Sequence, residues 1–529
     1  MRIRSILRII GVLVAGLGVS MFLCALMALF YKEEDLTAFL AAGFVSSAAG
    51  LLLFFVGGRA RRRLDVSHRE AFAVVTFGWL ASCLAGALPF FFYAQVPALF
   101  FRDAPIIAAG HGAAGVLTAL PDCDAGTGLG REFCSFAASM FESTSGFTTT
   151  GSSVIETGLW NDIHSRSGGL PHGILFWRAL TQFLGGMGII VFGVALLPLM
   201  GVGGMELFKA EVTGPVKDKV APRIAETARL LWRIYLGMTA VLVVLLMLTG
   251  QGLYLSVCHA FATMGTGGFS PLAASVETLD SPAGEWIITV FMALAGMNFA
   301  LHAAALRKGR PVHLKDQETW FYVGVGVVIS LAVGAYLYAH HGYSVNDGIR
   351  TGFFNAFSVL TTTGFASTDF ALWGIGAQLL LLVLFFVGGC SGSTGGGIKA
   401  VRILMMLKVA LTELKRLVHP HAVIQTKMSG TPVPVRVINS VAGFIALYLV
   451  LFLLAAVILG LCGYDLTVSV TAVGSAIGNI GPGFGAVGPM GNFNFFPDSL
   501  KWLQVFLMLA GRLELYSVFI VMTPEFWRR

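Results

Sequence analysis

The chain has 529 residues, of which 56% are hydrophobic and only 12% are charged, and its formal net charge is +7. A soluble protein carries about 25% charged residues, so this composition excludes an ordinary soluble enzyme and predicts an integral membrane protein. The Lys and Arg residues are scattered between apolar stretches rather than gathered in one patch, which argues against a nucleic-acid partner.

Ten apolar stretches are candidates to cross a bilayer, which takes roughly 20 residues in a helix. They are residues 9–31, 37–58, 71–101, 179–205, 234–255, 287–305, 320–339, 371–387, 437–461 and 502–522. The first resembles a signal peptide, but its apolar run is too long for one, so we expect a retained helix. Every second connection is rich in Lys and Arg, which predicts that both termini are cytoplasmic.

The connections on the opposite, outer side are poor in basic residues and contain several Asp and Glu residues. These carboxylates could concentrate cations at an outer mouth, or they could only solvate the loops; the sequence leaves both open. Cys123 and Cys134 lie in the outer connection that precedes residue 147. They could form a disulfide or remain two free thiols.

Four outer connections each contain a short Gly/Thr-rich or Gly/Pro-rich tetrapeptide. The four are Thr148-Thr149-Thr150-Gly151, Gly265-Thr266-Gly267-Gly268, Thr361-Thr362-Thr363-Gly364 and Ile480-Gly481-Pro482-Gly483. Each follows a short apolar segment, most of them too short to span a bilayer, at residues 133–147, 254–264, 351–360 and 468–479. Irregular backbone at membrane depth persists only where it lines water or is buried in protein. We therefore expect four re-entrant helices whose loops face one shared pore.

Backbone carbonyl oxygens can replace the hydration shell of a monovalent cation, and glycine tolerates the backbone angles that turn them inward. The candidate cation ligands are Thr149, Thr150, Gly151, Thr266, Gly267, Gly268, Thr362, Thr363, Gly364, Gly481, Pro482 and Gly483. Helix packing or an ordinary turn is the alternative explanation for any single glycine.

These patterns predict an all-α integral membrane fold with four pseudo-fourfold repeats of helix, pore loop and helix around a central pore. Two extra helices precede the repeats. The expected regions are residues 1–66 for the two-helix extension, and 67–205, 206–312, 313–420 and 421–529 for repeats one to four.

Three further stretches, together with the four loops, resemble the Trk/Ktr/HKT superfamily of potassium transporters, most closely its bacterial TrkH-type branch. They are residues 177–188 (WRALTQFLGGMG), 392–399 (GSTGGGIK) and 511–514 (GRLE). The resemblance covers essentially the whole chain. It implies potassium uptake across the bacterial inner membrane, a homodimer with one pore per subunit, and a separate cytosolic, nucleotide-binding TrkA-like ring. It implies no prosthetic group. A serine at the first filter position accompanies sodium selectivity in HKT relatives, so Gly151 favours potassium.

The candidate gate is a glycine-rich stretch, with six glycines among residues 388–397. Glycine destabilises a helix by about 1 kcal/mol per residue relative to Ala, so a continuous helix is not expected here. The resemblance implies a flexible loop that blocks the conduit under the filter, whereas the alternative is a close-packing face. A phosphate loop is disfavoured because Ile398 and Ala400 interrupt its pattern. The candidate gate residues are Gly392, Gly395, Gly396, Gly397, Lys399 and Arg512.

Arg512 lies well inside an apolar span, where a charge costs about 2.5–3.5 kcal/mol and usually has a function or a partner. We hypothesise that it projects into the conduit beneath the filter and slows cations; a structural ion pair is the alternative. Glu142, in the first re-entrant segment, could neutralise a neighbour or line the outer mouth.

Three other functions are alternatives. A sodium- or proton-coupled symporter with relaxed selectivity would share the same pore. A secondary transporter of organic solutes would place broken helices on alternating sides, whereas these loops lie on one side. A membrane enzyme is disfavoured because no catalytic constellation is present, and His259 near the second loop stands alone.

Overall fold

The computed structural model describes residues 3–58, 68–100, 123, 130–156, 169–188, 224–422 and 424–528. Apart from one short β-hairpin, the regular structure of these residues is helical. The helices are α1 (Ile3–Tyr31), α2 (Leu36–Val56), α3 (His68–Phe100), α4 (Phe136–Phe147), α5 (His172–Phe183), α6 (Ile224–Leu248), α7 (Leu253–Gly265), α8 (Pro282–Ala295), α9 (Phe299–Lys308), α10 (Gln317–His341), α11 (Val345–Leu360), α12 (Ile375–Leu384), α13 (Ala400–Val418), α14 (Val435–Leu461), α15 (Leu466–Gly478), α16 (Asp498–Arg512), α17 (Tyr516–Met522) and α18 (Pro524–Trp527). The hairpin pairs β1 (Lys427–Met428) with β2 (Thr431–Pro432).

Six of the ten predicted spans are single helices long and apolar enough to cross a membrane, within the part of the chain that the structure describes. They are α1, α2, the central part of α3, α6, α10 and α14. These results confirm an all-α, multi-pass membrane architecture.

The predicted spans 287–305 and 502–522 are not straight helices, which corrects our reading of them as single spans. The first is the pair α8 and α9, bent by 95°, and the second is the pair α16 and α17, bent by 114°. At the first break the Asn298 side chain accepts a hydrogen bond from the N–H of Ala300 (2.8 Å) and starts a new helix. At the second break Glu514 and Leu515 adopt positive φ values of 55° and 51°, which an α-helix cannot contain.

The two remaining predicted spans are also interrupted. The helix in span 371–387 is only the ten residues of α12, after which the chain enters the glycine-rich stretch. Span 179–205 begins in α5, passes into a π-helical turn at Leu184–Gly188, and then leaves the described residues. The second helix is therefore interrupted in repeats two, three and four, and in repeat one it passes into a π-helical turn at the end of its described part.

The four predicted re-entrant helices are α4, α7, α11 and α15. Their lengths are 12, 13, 16 and 13 residues, too short to span a bilayer of ordinary thickness. Their last turns are completely buried, so each pore helix ends inside the protein.

The helix pair α1 and α2 packs through glycines, as helices do when their backbones must approach closely. A Cβ atom on Gly11 would lie 2.6 Å from the carbonyl oxygen of Gly50, and one on Gly50 would lie 2.4 Å from the amide nitrogen of Ala15. The pair is anchored to repeat one at the start of α5, where Asp35 accepts a hydrogen bond from Ile174 N–H (3.1 Å).

The buried Asp35 carboxyl makes this anchor sensitive to pH. Burial, and then the charge of Glu33, raise the pKa of Asp35 from 3.8 to about 7. Because the folded state disfavours the ionised form, the stability that Asp35 contributes is complete below about pH 4 and is lost as the pH rises towards 7. We expect Asp35→Asn to raise the thermal unfolding midpoint in detergent by a few degrees at pH 8, with a smaller difference at pH 5. An identical difference at both pH values would contradict this account.

Candidate functional site

The four pore helices end in the same backbone turn. The residue after each helix, or one further on, is in the left-handed region: Thr149, Thr266, Thr362 and Asn479 have φ of 52°, 53°, 59° and 52°. The N–H of the next residue donates to the carbonyl five residues earlier. These bonds are Thr150 to Ser145 (2.8 Å), Gly267 to Ala262 (2.8 Å), Thr363 to Ser358 (2.8 Å) and Ile480 to Ser475 (3.0 Å). This is a Schellman-type helix end, repeated four times.

The glycine that follows each turn packs against the neighbouring loop. Gly151, Gly268, Gly364 and Gly481 have φ of 86°, 75°, 81° and 106°, a region that favours glycine. A Cβ atom on each would collide with the carbonyl oxygen that precedes the corresponding glycine of the next loop. The separations would be 2.2 Å from Gly151 to Gly267, 2.0 Å from Gly268 to Thr363, 2.0 Å from Gly364 to Ile480 and 2.7 Å from Gly481 to Thr150. The contacts run from loop one to two, three, four and back to one, so the loops form a closed ring.

The ring corrects our alignment of the fourth loop. We predicted Ile480-Gly481-Pro482-Gly483 as the counterpart of the other tetrapeptides, but Gly481 rather than Gly483 occupies the ring position. The N–H of Gly483 donates to Val487 O (2.7 Å), and a Cβ atom there would lie 2.7 Å from the hydroxyl of Thr471. The reason is that α15 ends at Gly478, so the counterpart of Gly265-Thr266-Gly267-Gly268 is residues 478–481, Gly-Asn-Ile-Gly.

A cavity opens onto one face of the ring. Its lining includes all four ring glycines, Pro482, and residues that follow the first two loops. Pro482 thus faces this cavity beside the ring, although it is not part of the ring itself.

The glycine-rich stretch lies against the other, helix-side ends of the loops. The N–H of Gly396 donates to the hydroxyl of Thr362 (2.6 Å). A Cβ atom on Gly396 would lie 2.7 Å from Gly478 O, and one on Gly395 would lie 3.0 Å from Thr361 O. This stretch therefore touches repeats three and four directly beneath the ring.

Both ends of the glycine-rich stretch are held in place. The Glu318 carboxylate, at the start of α10, accepts hydrogen bonds from the N–H groups of Ser391 (2.5 Å) and Val401 (3.3 Å). The N–H of Cys390 donates to Gly296 O (2.8 Å) at the break between α8 and α9. Lys399 donates to the carbonyl of Gly395 within the stretch.

The glycines of this stretch are also required for close packing, so our alternative explanation applies as well. A Cβ atom on Gly388 would lie 2.5 Å from Gly396 O, and one on Gly392 would lie 2.9 Å from the side-chain oxygen of Asn298. Gly392 and Gly397 have positive φ values of 75° and 65°.

Arg512 connects the glycine-rich stretch to repeat one. Its guanidinium donates to the carbonyl oxygens of Thr394 (2.7 Å), Gly185 (2.7 Å) and Gly186 (3.1 Å). Thr394 immediately precedes Gly395, so this charge lies next to the segment that contacts the ring. The nearby Glu514 forms an ion pair with Arg402.

Arg178, which the sequence did not identify as the partner of Glu142, forms a buried ion pair with it beside the ring. The Arg178 Nε donates to the Glu142 carboxylate (2.7 Å), and the two side chains are 1% and 0% exposed. The Glu142 carboxylate also accepts hydrogen bonds from Ser153 (3.1 Å) and Val154 N–H (3.0 Å), which follow the first loop. Arg178 donates to Ser270 O (3.3 Å), which follows the second loop. Glu142 therefore neutralises a neighbour, one of the two roles that the sequence left open.

We expect Arg178→Ala to destabilise the folded protein by about 3–5 kcal/mol, because it leaves the buried Glu142 carboxylate unpaired. The double variant Arg178→Met with Glu142→Gln should recover most of this loss, since no buried charge remains. Thermal unfolding of the purified protein measures both. A double variant no more stable than Arg178→Ala would contradict the pairing argument.

Two other sequence questions have structural answers. Cys123 and Cys134 form a disulfide. Both ring nitrogens of the buried His259 have partners, Leu255 O at 2.9 Å and Ser270 Oγ at 3.1 Å. Among the described residues, no cluster of three or more His, Cys, Asp or Glu side chains could hold a metal ion.

Comparisons with known proteins agree with this architecture. A family model described as TrkH, cation transport protein, matches residues 71–316 and 331–528. The Trk system potassium uptake protein TrkH of Vibrio parahaemolyticus is 38% identical and that of Escherichia coli 36% identical, each over 100% of both chains. The crystal structure of the potassium transporter TrkH from Vibrio parahaemolyticus aligns with a TM-score of 0.81 at 36% identity, covering 100% of both chains. The chain therefore belongs to the TrkH family of cation transport proteins.

Proposed function

We propose that this protein takes up potassium ions across a bacterial inner membrane through a channel-like pore. The observation that carries the proposal is the closed ring of four loops, in which each ring glycine touches a carbonyl of the next loop. The Trk system potassium uptake proteins to which the chain is similar supply the identity of the ion.

The selectivity filter in this proposal consists of residues 149–151, 266–268, 362–364 and 479–481. Carbonyl oxygens around such a ring replace the water that a potassium ion gives up on entry. The C-terminal ends of the four pore helices add partial negative charge, about half an elementary charge each. Thr149 Oγ1 and Asn479 Oδ1 are buried at equivalent positions and have no hydrogen-bond partner among the described residues. A dehydrated cation at this level would satisfy both oxygens.

The gate in this proposal is residues 388–397, together with Lys399 and Arg512. Gly395 and Gly396 pack against the ends of loops three and four with no room for an added side chain, which supports a gate that a cation leaving the ring on this side would displace. A cytosolic nucleotide-binding subunit would control that displacement, in a homodimer whose termini are cytoplasmic. The name Trk system, which the relatives bear, supports partner subunits.

Rubidium uptake in a host that lacks its own potassium uptake tests the proposal. We expect the wild-type chain to support uptake that potassium inhibits. Gly151→Ser should lower the preference for rubidium over sodium, because its Cβ would lie 2.2 Å from Gly267 O and displace that carbonyl.

The outcome separates the alternatives. Absence of rubidium uptake by a protein that reaches the membrane would contradict the proposal. Uptake that requires a sodium or proton gradient would favour coupled symport, and accumulation of an organic solute without rubidium uptake would favour a secondary transporter.

A further inference from the structure

The side chain of Gln182, on α5, bridges the second loop from behind. It is 0% exposed. Its Nε2 donates to the carbonyl oxygen of Gly267 (2.6 Å), and its Oε1 accepts from the N–H of Phe269 (3.0 Å). The amide therefore spans the ring glycine Gly268, bonding to the residue on each side of it. The reverse orientation of the amide would place its oxygen against Gly267 O and its NH2 group against the N–H of Phe269, so neither hydrogen bond could form.

Gln182 occupies the place of a side chain that the second loop lacks. The positions equivalent to Gly267 are Thr150, Thr363 and Ile480, all of which have side chains. A Cβ atom on Gly267 would lie 2.3 Å from the Gln182 amide carbon. In loops one and three the threonine hydroxyl instead bonds to a second threonine within its own loop, at 2.8 and 2.7 Å. The second loop thus depends on a residue 85 positions away for the support that loops one and three supply locally.

This contact breaks the fourfold equivalence of the ring carbonyls. Within the described part of the chain, the carbonyl oxygens of Thr150, Thr363 and Ile480 accept no hydrogen bond, whereas that of Gly267 accepts one from Gln182. A donor on a carbonyl oxygen competes with a bound cation for the same electron density. It also restrains the position of that oxygen, so the ring is less able to contract around a smaller ion.

We propose that Gln182 is a specificity-determining residue, which weakens and positions the Gly267 carbonyl so that the ring favours potassium over the smaller sodium ion. The inference rests on the proposed function, since it takes the ring to be the cation path. Gln182 acts through Gly267 and touches no ion itself.

Two substitutions separate this role from general support of the fold. Gln182→Leu removes both hydrogen bonds. Gln182→Glu keeps the acceptor for Phe269 N–H, but it retains a donor to Gly267 O only while the new carboxyl is protonated. The matched control is Gln378→Leu, because the Gln378 amide also donates to two carbonyls, those of Ala371 (2.8 Å) and Trp373 (2.9 Å), outside the ring.

The measurement is the ratio of potassium to sodium permeability, from reversal potentials of purified protein in planar bilayers. We expect Gln182→Leu to lower the ratio about fivefold, which is the factor that corresponds to the net free energy of one hydrogen bond. Gln378→Leu should leave the ratio unchanged. The Gln182→Glu variant should match the wild type at low pH and lose selectivity as the pH rises and its carboxyl ionises. A ratio that changes with pH while the thermal unfolding midpoint of the variant stays unchanged would distinguish this role from a purely structural one.

A wild-type ratio in folded Gln182→Leu, or in folded Gln182→Glu at a pH where infrared spectroscopy shows the new carboxyl to be ionised, would overturn the inference. If Gln182→Leu does not fold, the pH series of the Gln182→Glu variant decides alone. Conduction through Gly268→Ala, measured in the same bilayers, reports separately on the proposed function. Loss of conduction in Gly268→Ala, with unchanged selectivity in both Gln182 variants, would reject the role of Gln182. It would still support the proposal that the ring is the selectivity filter.

Discussion

A Gly268→Ala variant is expected to reach the membrane folded and to lose rubidium uptake by about 100-fold. Its Cβ atom would lie 2.0 Å from Thr363 O and 3.0 Å from the carbonyl carbon of Gly364, and its φ of 75° is unfavourable for alanine. Because the colliding atoms are backbone, the ring itself must shift. Such strain costs about 1–3 kcal/mol, and every 1.4 kcal/mol is a factor of about ten. Uptake into cells, normalised to the amount of protein in the membrane, measures the effect.

Gly342→Ala is the matched control for this variant. Gly342 has a similar φ of 68°, but a Cβ atom there would meet nothing within 4 Å. Both variants therefore carry the backbone strain of an alanine at positive φ, but only Gly268→Ala also collides with a neighbouring loop. We expect wild-type uptake from Gly342→Ala. Equal losses in the two variants would attribute the effect to backbone strain alone and would count against the ring.

Arg512→Ala is expected to raise basal cation flux about tenfold. The substitution removes the donors to Thr394 O, Gly185 O and Gly186 O, and a hydrogen bond to a charged group contributes about 1.5–3 kcal/mol. The glycine-rich stretch then loses its connection to repeat one, and, on the proposed function, the path beneath the ring loses a positive charge. Single-channel recording in planar bilayers would report both a higher open probability and a higher unitary conductance.

Arg350→Ala controls for the loss of a partly buried arginine away from the glycine-rich stretch. Arg350 pairs with Glu285 (3.1 Å) and Asp347 (3.1 Å) and makes no hydrogen bond to the glycine-rich stretch. Its removal should leave the flux unchanged. Wild-type flux and conductance in a folded Arg512→Ala protein would reject both proposed roles of Arg512, holding the gate and slowing cations. Arg512 would then only connect the glycine-rich stretch to repeat one structurally.

The sequence was sufficient to place the pore helices, because a short apolar segment followed by a Gly/Thr loop is a local pattern. Residues 254–264 were predicted and Leu253–Gly265 is observed. The helix breaks were harder to predict. The apolar pattern of residues 287–305 continues through the break at 296–298, and this break is held from a distance, where Gly296 O accepts the N–H of Cys390. A contact between residues so far apart in the chain leaves no local signal; the local signal at this break is Asn298, a preferred N-cap residue, which starts α9.

The functional site shows the same contrast between features with a local sequence pattern, which could be predicted, and features held by distant contacts, which could not. The glycines of loops one to three were identified because few residue types tolerate their backbone angles. In loop four the sequence Gly-Asn-Ile-Gly at 478–481 resembles Gly-Thr-Gly-Gly at 265–268, and this local pattern indicates Gly481 rather than Gly483. Arg178 and Gln182 were read only as part of a family-like stretch, since their roles depend on what faces them across α5. Their spacing of four residues, on one face of a buried helix, was the usable clue.

Anomalous diffraction from crystals soaked in rubidium tests the central claim most directly. The account predicts a peak on the axis of the ring, within coordination distance of the carbonyl oxygens of Thr150, Gly267, Thr363 and Ile480, that is lost when sodium replaces rubidium. A well-ordered ring with no rubidium peak at its centre, in crystals that show rubidium elsewhere, would contradict it.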